Sequence, residues 1–409
     1  MYHLSRKFRL VIIAQSLLSI FALSAFAQFP TPTPEPPLTS QELVKLVYQL
    51  PKNPELHDEV VNAIRKRGIG FPLTDGMRTL VATKSGNDAT LRRTLEEADR
   101  RRANPKTSVL PTEAEANELW RLTTNETLAA ANAMPDFIVH QLIKRSVAHG
   151  GTGNWLPQDT LTIGVSYRQN VGEQYKVLAI NGVATGPQAK EGGEYDKDIP
   201  GGASSTGEYV TGLASLFKEE SHTTFKVVDT DVLRGHRAIV YEFEIQKAHS
   251  SLELKAGQGL IANVGSRGRV WIDREQYRVL RFEQIATEIP GDFPITAASS
   301  TVDYDWVPIN EHPYLLPAHA DILISQLGRG EHGMQKLDSR NDIRFRGYQK
   351  FGAELKVIDE IDGPDAPARN LDAAVDKPVE TEKPEKTEKI EPGDAPPPPR
   401  LKPAKPEKP

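Results

Sequence analysis

Apolar and polar side chains alternate with a period of two residues through most of the chain from residue 136 onward, which predicts a β-sheet. The segment 159–168 shows the alternation most cleanly. Because short turns and few helices separate the segments of this kind, we expect about eleven strands in one strongly curved antiparallel sheet. The other predicted strands are residues 137–147, 175–180, 224–229, 238–245, 252–255, 269–273, 277–286, 301–307, 318–325 and 341–348.

The clearest hairpin in this pattern spans residues 270–283. Two stretches rich in β-branched and aromatic residues flank a polar connection that begins at Asp273. An aspartate at a turn typically accepts hydrogen bonds from backbone amides. We therefore expect the hairpin to set the register of the sheet rather than to carry chemistry.

Two helical segments interrupt the strand pattern and are predicted to cover the concave face of the sheet. The first spans residues 112–134, with Thr112 and Glu115 at the spacing of a capping box, and it stops at Pro135. The second follows a glycine-rich stretch and takes Ser205 or Thr206 as its N-cap. Its apolar face consists of Tyr209, Val210, Leu213, Leu216 and Phe217.

Helical spacing also marks residues 39–105, where four short helices are expected to form a small all-α bundle, the helical module. Thr39 and Glu42 fit a capping box, and Thr74 and either Asn87 or Asp88 fit later N-caps. Basic and acidic residues are interleaved between positions 92 and 102. We interpret this cluster as a solvent-exposed helix face rather than as a surface for an anionic partner.

Neither end of the chain has the pattern of a packed domain. Residues 1–27 combine basic residues, an apolar run and alanines at 25 and 27, which predicts a cleaved signal peptide. An uncleaved membrane anchor is the alternative, which polar residues within the run disfavour. We expect an exported, periplasmic or envelope-associated protein without a transmembrane helix after cleavage. Residues 28–38 predict a proline-rich linker, residues 112–360 the sheet domain, and residues 361–409 a disordered tail rich in proline, lysine and glutamate.

Composition argues against several classes of function. None of the 409 residues is cysteine, so the chain has no lipid-modified cysteine, no disulfide and no thiolate metal ligand. The formal net charge is −5 and no long basic stripe occurs, so no nucleic-acid partner is predicted.

A search for catalytic groups finds no complete motif. The histidines, among them His236, His312 and His319, lack the spacing of a zinc site, so no metal or cofactor is predicted. The glycine-rich stretch 202–207 is followed by glutamate where a phosphate-binding loop has lysine, and no nucleophile elbow occurs. Asp303 and Asp305 share a strand face and leave hydrolysis as an alternative, although an acidic outer face explains them as well. We predict a protein that is not an enzyme.

Several short motifs in the sheet domain suggest a family: Met134-Pro135-Asp136-Phe137 at the end of the first cover helix, Gln141 and Arg145 on the first strand, and the hairpin 270–283. Over residues 112–357 they resemble the outer-membrane lipoprotein-sorting family, meaning periplasmic lipoprotein carriers and their relatives. The resemblance implies an antiparallel half-barrel closed by helices over an apolar cavity for acyl chains. The chain departs from the family in its helical module and charged tail, and no residue matches the family's ligand-release machinery. Fold transfers better than function in such a case.

Two functional hypotheses follow. The first is an exported carrier or binding protein for a lipid, an acyl chain or another hydrophobic ligand, contacted by Leu213, Leu216, Phe217, Trp271 and Phe282. The second is an envelope scaffold or interaction protein that binds an envelope partner through the helical module and the charged tail. The residues name neither the ligand nor a reaction.

Overall fold

One large antiparallel sheet, covered by helices on both faces, gives the protein an α+β fold. The computed structural model describes residues 35–106, 109–186, 199, 209–330 and 333–351. In these ranges the α-helices are α1 (Ser40–Val47), α2 (His57–Arg67), α3 (Asp75–Lys84), α4 (Ala89–Ala103), α5 (Glu113–Asn132) and α6 (Val210–Phe217). The strands are β1 (Phe137–His149), β2 (Leu156–Arg168), β3 (Gly172–Ile180), β4 (Val183–Ala184), β5 (Thr224–Leu233), β6 (His236–Ile245), β7 (Glu253–Ala256), β8 (Leu260–Asn263), β9 (Gly265–Asp273), β10 (Val279–Thr287), β11 (Ile295–Ile309), β12 (His312–Gly330) and β13 (Gly333–Lys350).

The predicted antiparallel sheet is confirmed. Its strands among the described residues number eleven and lie in the order β4-β3-β2-β1-β13-β12-β11-β10-β9-β6-β5. The strands β4 and β5 form the two edges, so the sheet is an open half-barrel. Its membership differs from the prediction in one respect. The predicted strand at 252–255 pairs with β8 in a separate two-stranded sheet, and the very short β4 joins the large sheet across the Asn181-Gly182 turn. Both turn residues have positive φ, as a tight hairpin turn requires.

The face that carries Val270, Ile272 and Phe282, here called the inner face, is covered by α5 and α6 as predicted. Apolar side chains of both helices and of most strands form one continuous core on this side. The Tyr241 hydroxyl of β6 donates a hydrogen bond of 2.8 Å to the Ala116 carbonyl of α5, which satisfies a buried polar group inside that core. The main core of the sheet domain therefore lies between the inner face and these two helices.

The N-terminal ends of the two cover helices differ from their predicted caps. Thr112 accepts a hydrogen bond from the Glu115 amide, but the Glu115 carboxylate binds Arg274 of the β9–β10 connection, so the reciprocal half of the capping box is missing. The N-cap of α6 is Tyr209, which makes no side-chain capping hydrogen bond. The predicted caps Ser205 and Thr206 lie outside the described residues.

The helical module contains the four predicted helices. Thr39 and Glu42 form the predicted capping box of α1, and Thr74 and Asp88 cap α3 and α4 through their side chains. Leu38, predicted as linker, is 0% exposed and forms a β-bridge with Ile69. The packed part of the chain therefore includes the last residues of the predicted linker.

Several predicted segments lie outside the part of the chain that the structure describes: the signal peptide at 1–27, most of the linker, the glycine-rich stretch 202–207 and the tail at 361–409. Within the described ranges, every helix is too short or too polar to cross a membrane.

The helical module packs against the opposite face of the sheet, here called the outer face. One contact joins two glycine backbones, Gly86 between α3 and α4 and Gly153 in the β1–β2 loop. A Cβ atom on Gly153 would lie 2.8 Å from the Gly86 Cα. This close approach leaves no space for a side chain at the contact.

Substitution of Gly153 separates the steric effect of a side chain from the effect of alanine on the backbone conformation. Gly153→Ala and Gly172→Ala both place alanine at positive φ, which costs on the order of 1–2 kcal/mol, but nothing lies within 4 Å of a Cβ on Gly172. We expect Gly153→Ala to lower the free energy of unfolding by about 1–3 kcal/mol more than Gly172→Ala does, because it also overpacks the contact. Urea denaturation measures both, and equal losses would contradict the close contact.

Candidate functional site

The hairpin of β9 and β10 separates two chemically different faces of the sheet. A β-bulge interrupts its register between Val279 and Arg281. Phe282 pairs with Val270 on the apolar inner face, whereas Arg281 pairs with Trp271 on the outer face. The Arg281 guanidinium carbon lies 5.7 Å from the centre of the Trp271 ring. The bulge thus delivers a cation to the outer side of a strand whose next residue is part of the core.

The structure gathers four of the five predicted ligand-contacting residues and separates the fifth. Leu213, Leu216, Phe217 and Phe282 belong to the inner core and are 3%, 1%, 6% and 7% exposed. Trp271 lies on the outer face, where its Nε1 donates a hydrogen bond of 3.1 Å to Asp231. Trp271 therefore does not share a surface with the other four residues.

The two polar residues that carried the family resemblance on β1 are both buried. The Gln141 side chain donates to the Tyr209 hydroxyl at 3.3 Å, which ties the strand to the start of α6. The Arg145 guanidinium forms a bidentate pair with Asp159 of β2. The first interaction joins β1 to α6, and the second joins β1 to β2.

Buried charges fill the contact between the module and the outer face; we call them the outer ionic network. The sheet contributes Asp231, Arg281, Glu283, Asp303 and Asp321, and the module contributes Arg65, Arg93, Glu97 and Arg100. The sheet members of this set are all less than 9% exposed. A charged interface so well shielded from water needs close pairing, because an unpaired buried charge is costly.

The contacts across the interface are specific. Arg100 of α4 places Nε and Nη2 at 2.9 and 3.0 Å from the two Asp231 carboxylate oxygens. Arg65 of α2 places Nη2 at 3.0 Å from Glu283. Arg93 of α4 donates to the Thr301 hydroxyl at 2.7 Å. Each contact joins the module to a different strand of the sheet.

A second arginine pair strengthens the edge of the interface. Arg101 of α4 forms an ion pair with Asp229, which lies on the edge strand β5. Together with the pair of Arg100 and Asp231, this contact holds α4 along that strand.

Burial controls the ionisation of the module's only acid in the network. Burial raises the pKa of Glu97 to about 7, and the carboxylates of Asp231 and Glu283 act in the same direction. The Arg281 guanidinium, 3.6 Å from Glu97, opposes this rise without cancelling it. Burial acts to raise the pKa of Asp231 as well, but the Arg100 guanidinium outweighs burial, so the pKa of Asp231 lies below its ordinary value.

The two acids considered for hydrolysis, Asp303 and Asp305, lie in different environments. Asp303 is buried and accepts hydrogen bonds from Arg281 at 2.7 and 3.3 Å. Burial acts to raise the pKa of Asp303, but Arg281 and His319 outweigh it and hold this pKa well below its usual range. Asp305 is exposed and accepts from the Trp306 amide. A carboxyl group held ionised in this way cannot serve as a general acid near neutral pH.

Two of the three histidines singled out in the sequence, His236 and His319, contact aspartates of the sheet. The carboxylates of Asp303 and Asp342 raise the pKa of His319 to about 9, although burial acts to lower it. His236 lies 2.8 Å from Asp273, whose other oxygen accepts hydrogen bonds from the Glu275 and Gln276 amides. The prediction that Asp273 satisfies turn amides is thus confirmed. The described part of the chain contains no group of three or more histidine, aspartate or glutamate residues arranged to hold a metal ion.

The solvent-exposed interpretation of the basic cluster at 92–102 is wrong for three of its residues. Arg93, Arg100 and Arg101 face the sheet and form ion pairs with it. A usable signal lay in β5, where Asp229 and Asp231 stand two residues apart, the spacing of neighbours on one face of a strand. Their partners are not identifiable by spacing, because Arg100 and Asp231 are 131 residues apart.

Comparisons with known proteins give only distant similarity. No protein family model matches the chain, and no curated protein matches it. Among solved structures, the chain is similar to a DUF1329 family protein from Desulfovibrio piger, with a TM-score of 0.28 and 9% identity over 58% of this chain and 94% of that one. It is similar to a chain of the Pseudomonas aeruginosa MucA/MucB complex, with a TM-score of 0.16 and 9% identity over 55% and 98%. For a structure of MucB in complex with MucA(peri), the TM-score is 0.16 and the identity 10% over 56% and 98%. Overlap this small assigns no family and no function, so the lipoprotein-sorting resemblance stays a prediction.

The raised pKa of Glu97 predicts a pH-dependent stability. Glu97 holds its proton more tightly in the folded protein than in the unfolded chain. Its contribution to the free energy of unfolding is therefore fully present below about pH 4.5 and is lost as the pH rises through about 7. Glu97→Gln mimics the neutral form, and we expect it to stabilise the protein by on the order of 3 kcal/mol at about pH 8 and hardly at all at about pH 4.5. Urea denaturation at the two pH values measures the difference.

The neighbouring residue supplies the control for this experiment. Glu96 pairs with Arg78 inside the module, 2.8 Å away, and does not face the sheet network. Glu96→Gln should therefore give no stabilisation at alkaline pH. A loss of stability in Glu97→Gln at about pH 8 would show that Glu97 acts there as a stabilising carboxylate.

Proposed function

We propose that the protein is a non-enzymatic scaffold of the cell envelope, in which the half-barrel holds the helical module in one orientation for an envelope partner. The observation that carries this proposal is the buried bidentate pair of Arg100 in the module and Asp231 in the sheet. The export signal predicted at 1–27 supports the envelope location.

The pairing pattern supports a fixed orientation rather than a tether. Buried ion pairs add little net stability compared with apolar packing, but breaking one costs about 3–5 kcal/mol because a charge is left buried and unpaired. Rotation of the module would break the contacts of Asp231 and Glu283 together. The exposed surface of the module therefore keeps one position relative to the sheet, as a scaffold requires.

The chain's lack of cysteine allows this orientation to be measured with unique labels. Spin labels on cysteines introduced at Thr83 of the module and Val171 of the sheet, both exposed, should give one narrow distance distribution. Arg100→Met should broaden this distance distribution, because the Asp231 carboxylate then loses its bidentate partner in the module and is costly to keep buried. The control is Arg67→Met, which removes an ion pair internal to the module, with Glu42.

The same variants test the functional half of the proposal. A photo-crosslinker at exposed Tyr48 of the module should capture an envelope partner in intact cells with the parent and with Arg67→Met, but not with Arg100→Met. The scaffold proposal fails if Arg100→Met keeps the same crosslinks while the distance distribution broadens, or if the parent forms none.

A second candidate function, carriage of a hydrophobic ligand, is favoured by the way α6 is held. This eight-residue helix lacks a side-chain N-cap, and helices this short are marginal in isolation. Its position depends on apolar packing of Leu213, Leu216 and Phe217 in the inner core. An acyl chain offers the same kind of contact and could replace the helix on the inner face.

Truncation of one α6 side chain tests this candidate. Leu213→Ala should open apolar space in the inner core and raise the binding of a fluorescent hydrophobic dye several-fold. Leu95→Ala makes the same change in the core of the module, where Leu95 is 2% exposed, and should not raise dye binding. Native mass spectrometry of protein purified from the envelope should also detect a bound acyl-chain ligand. Absence of lipid together with equal dye binding by both variants removes the carrier function.

A further inference from the structure

A polar pocket of about 660 Å³ lies where the module meets the outer face, away from the apolar inner core. Its walls come from the turn between α3 and α4, the β1–β2 loop, the strands β1, β2 and β13, and the turn between β3 and β4. A volume of this size is typical of small-molecule sites. The lining residues used below are Asn87, Lys144, Trp155, Asn181, Arg340 and Asp342.

The walls of this junction pocket are held in place before any ligand binds. The backbone contact between Gly86 and Gly153 joins the module to the loop that carries Trp155. The Gly151 amide of the same loop donates to Asp338 of β13 at 2.6 Å. Preorganised walls lower the entropy that binding must overcome.

The carboxylates of the pocket already have partners, whereas its two asparagine side chains offer hydrogen-bond donors. The side-chain oxygen of Asn87 accepts from Arg92 at 2.6 Å, and that of Asn181 accepts from the Thr160 amide at 2.9 Å. Each asparagine therefore keeps its NH₂ group for a further partner. A ligand that fits this arrangement must be rich in acceptor oxygens.

One cation in the pocket is uncommitted. Arg340 is paired with Asp321, and Asp342 is paired with His319 at 3.3 Å although it lies opposite Lys144 in the strand register. Lys144 is exposed, and among the residues that the structure describes it has no ion pair. A negatively charged group on the ligand would find its counter-ion there.

The half-buried Trp155 ring adds an apolar surface beside these donors. A sugar ring combines an apolar C–H face, which packs on an aromatic ring, with a rim of oxygen acceptors. We propose that the junction pocket binds a saccharide that carries a carboxylate. Trp155 packs against the sugar ring, Asn87 and Asn181 donate to its oxygens, and Lys144 pairs with the carboxylate. The pocket forms only when the module is docked on the sheet, but binding of a saccharide there does not depend on a scaffold role of the protein.

Two probes that differ by a carboxylate test the proposal: N-acetylmuramic acid carries an acidic ether substituent that N-acetylglucosamine lacks. We expect the full chain to bind N-acetylmuramic acid at least about 10-fold more tightly, equivalent to about 1.4 kcal/mol. Saturation-transfer NMR and calorimetry at low salt measure both affinities. Equal affinities would overturn the role of the carboxylate.

Matched variants assign the binding to the pocket. Lys144→Met should lower the affinity for N-acetylmuramic acid to that for N-acetylglucosamine, whereas Lys226→Met, which removes an exposed lysine on the distant edge strand β5, should change neither. Trp155→Leu should abolish binding of both sugars, and Trp155→Phe should retain it. Circular dichroism confirms that each variant is folded.

Inorganic phosphate distinguishes a saccharide site from a general anion site. Phosphate should bind more weakly than N-acetylmuramic acid, and its affinity should not change when the Trp155 ring is removed. The proposal is overturned if phosphate competes equally well, if Lys144→Met and Lys226→Met behave alike, or if neither sugar binds.

Discussion

Burial of the Arg281 guanidinium against the Asp303 carboxylate, at the contact between the sheet and the module, is the constraint on which the arrangement of the two parts depends. Arg281 is 1% exposed, lies 2.7 Å from Asp303 and 3.6 Å from Glu97, and packs near the Trp271 ring. The bulge in β10 makes this possible, because a strand with unbroken register would direct successive side chains to fixed alternate faces. A one-residue slip would carry the cation into the apolar inner core. The outer ionic network therefore depends on the register of the central hairpin, because the bulge places Arg281 on the outer face.

The two faces of the sheet use different physical means to hold their helices. On the inner face, α5 and α6 are held by apolar burial, which is strong but tolerates small shifts in position. On the outer face, α2 and α4 are held by charges with specific partners, which leaves few alternative positions. This division suits a protein that keeps one surface geometrically fixed while the other can repack. It also explains why the two functional proposals fall on opposite faces.

Local features of the structure were predictable from the sequence, and long-range polar contacts were not. Thr39 and Thr74 were identified as caps, and Asp88 as one of two candidates, because a cap and its target lie within three residues of each other. The strands were recognisable because one buried face imposes a period of two. Arg93 and Arg100 have the same neighbours in sequence as arginines on a solvated helix, and only the fold brings them to Glu283 and Asp231. The bulge that places Trp271 beside Arg281, and the junction pocket around Trp155, likewise depend on pairings between distant segments.

Docking of α4 also bears on the solubility of the protein. The edge strand β5 has one side without a β partner among the described residues, and such an edge is a template for strand addition between molecules. A bulge between Val227 and Asp229 twists this edge, and Asp229 and Asp231 place negative charge along it. Because Arg101 and Arg100 cover those two carboxylates, the module shields the part of the strand where the charges lie. The docked module therefore reduces the part of this edge that is open to strand addition by another molecule.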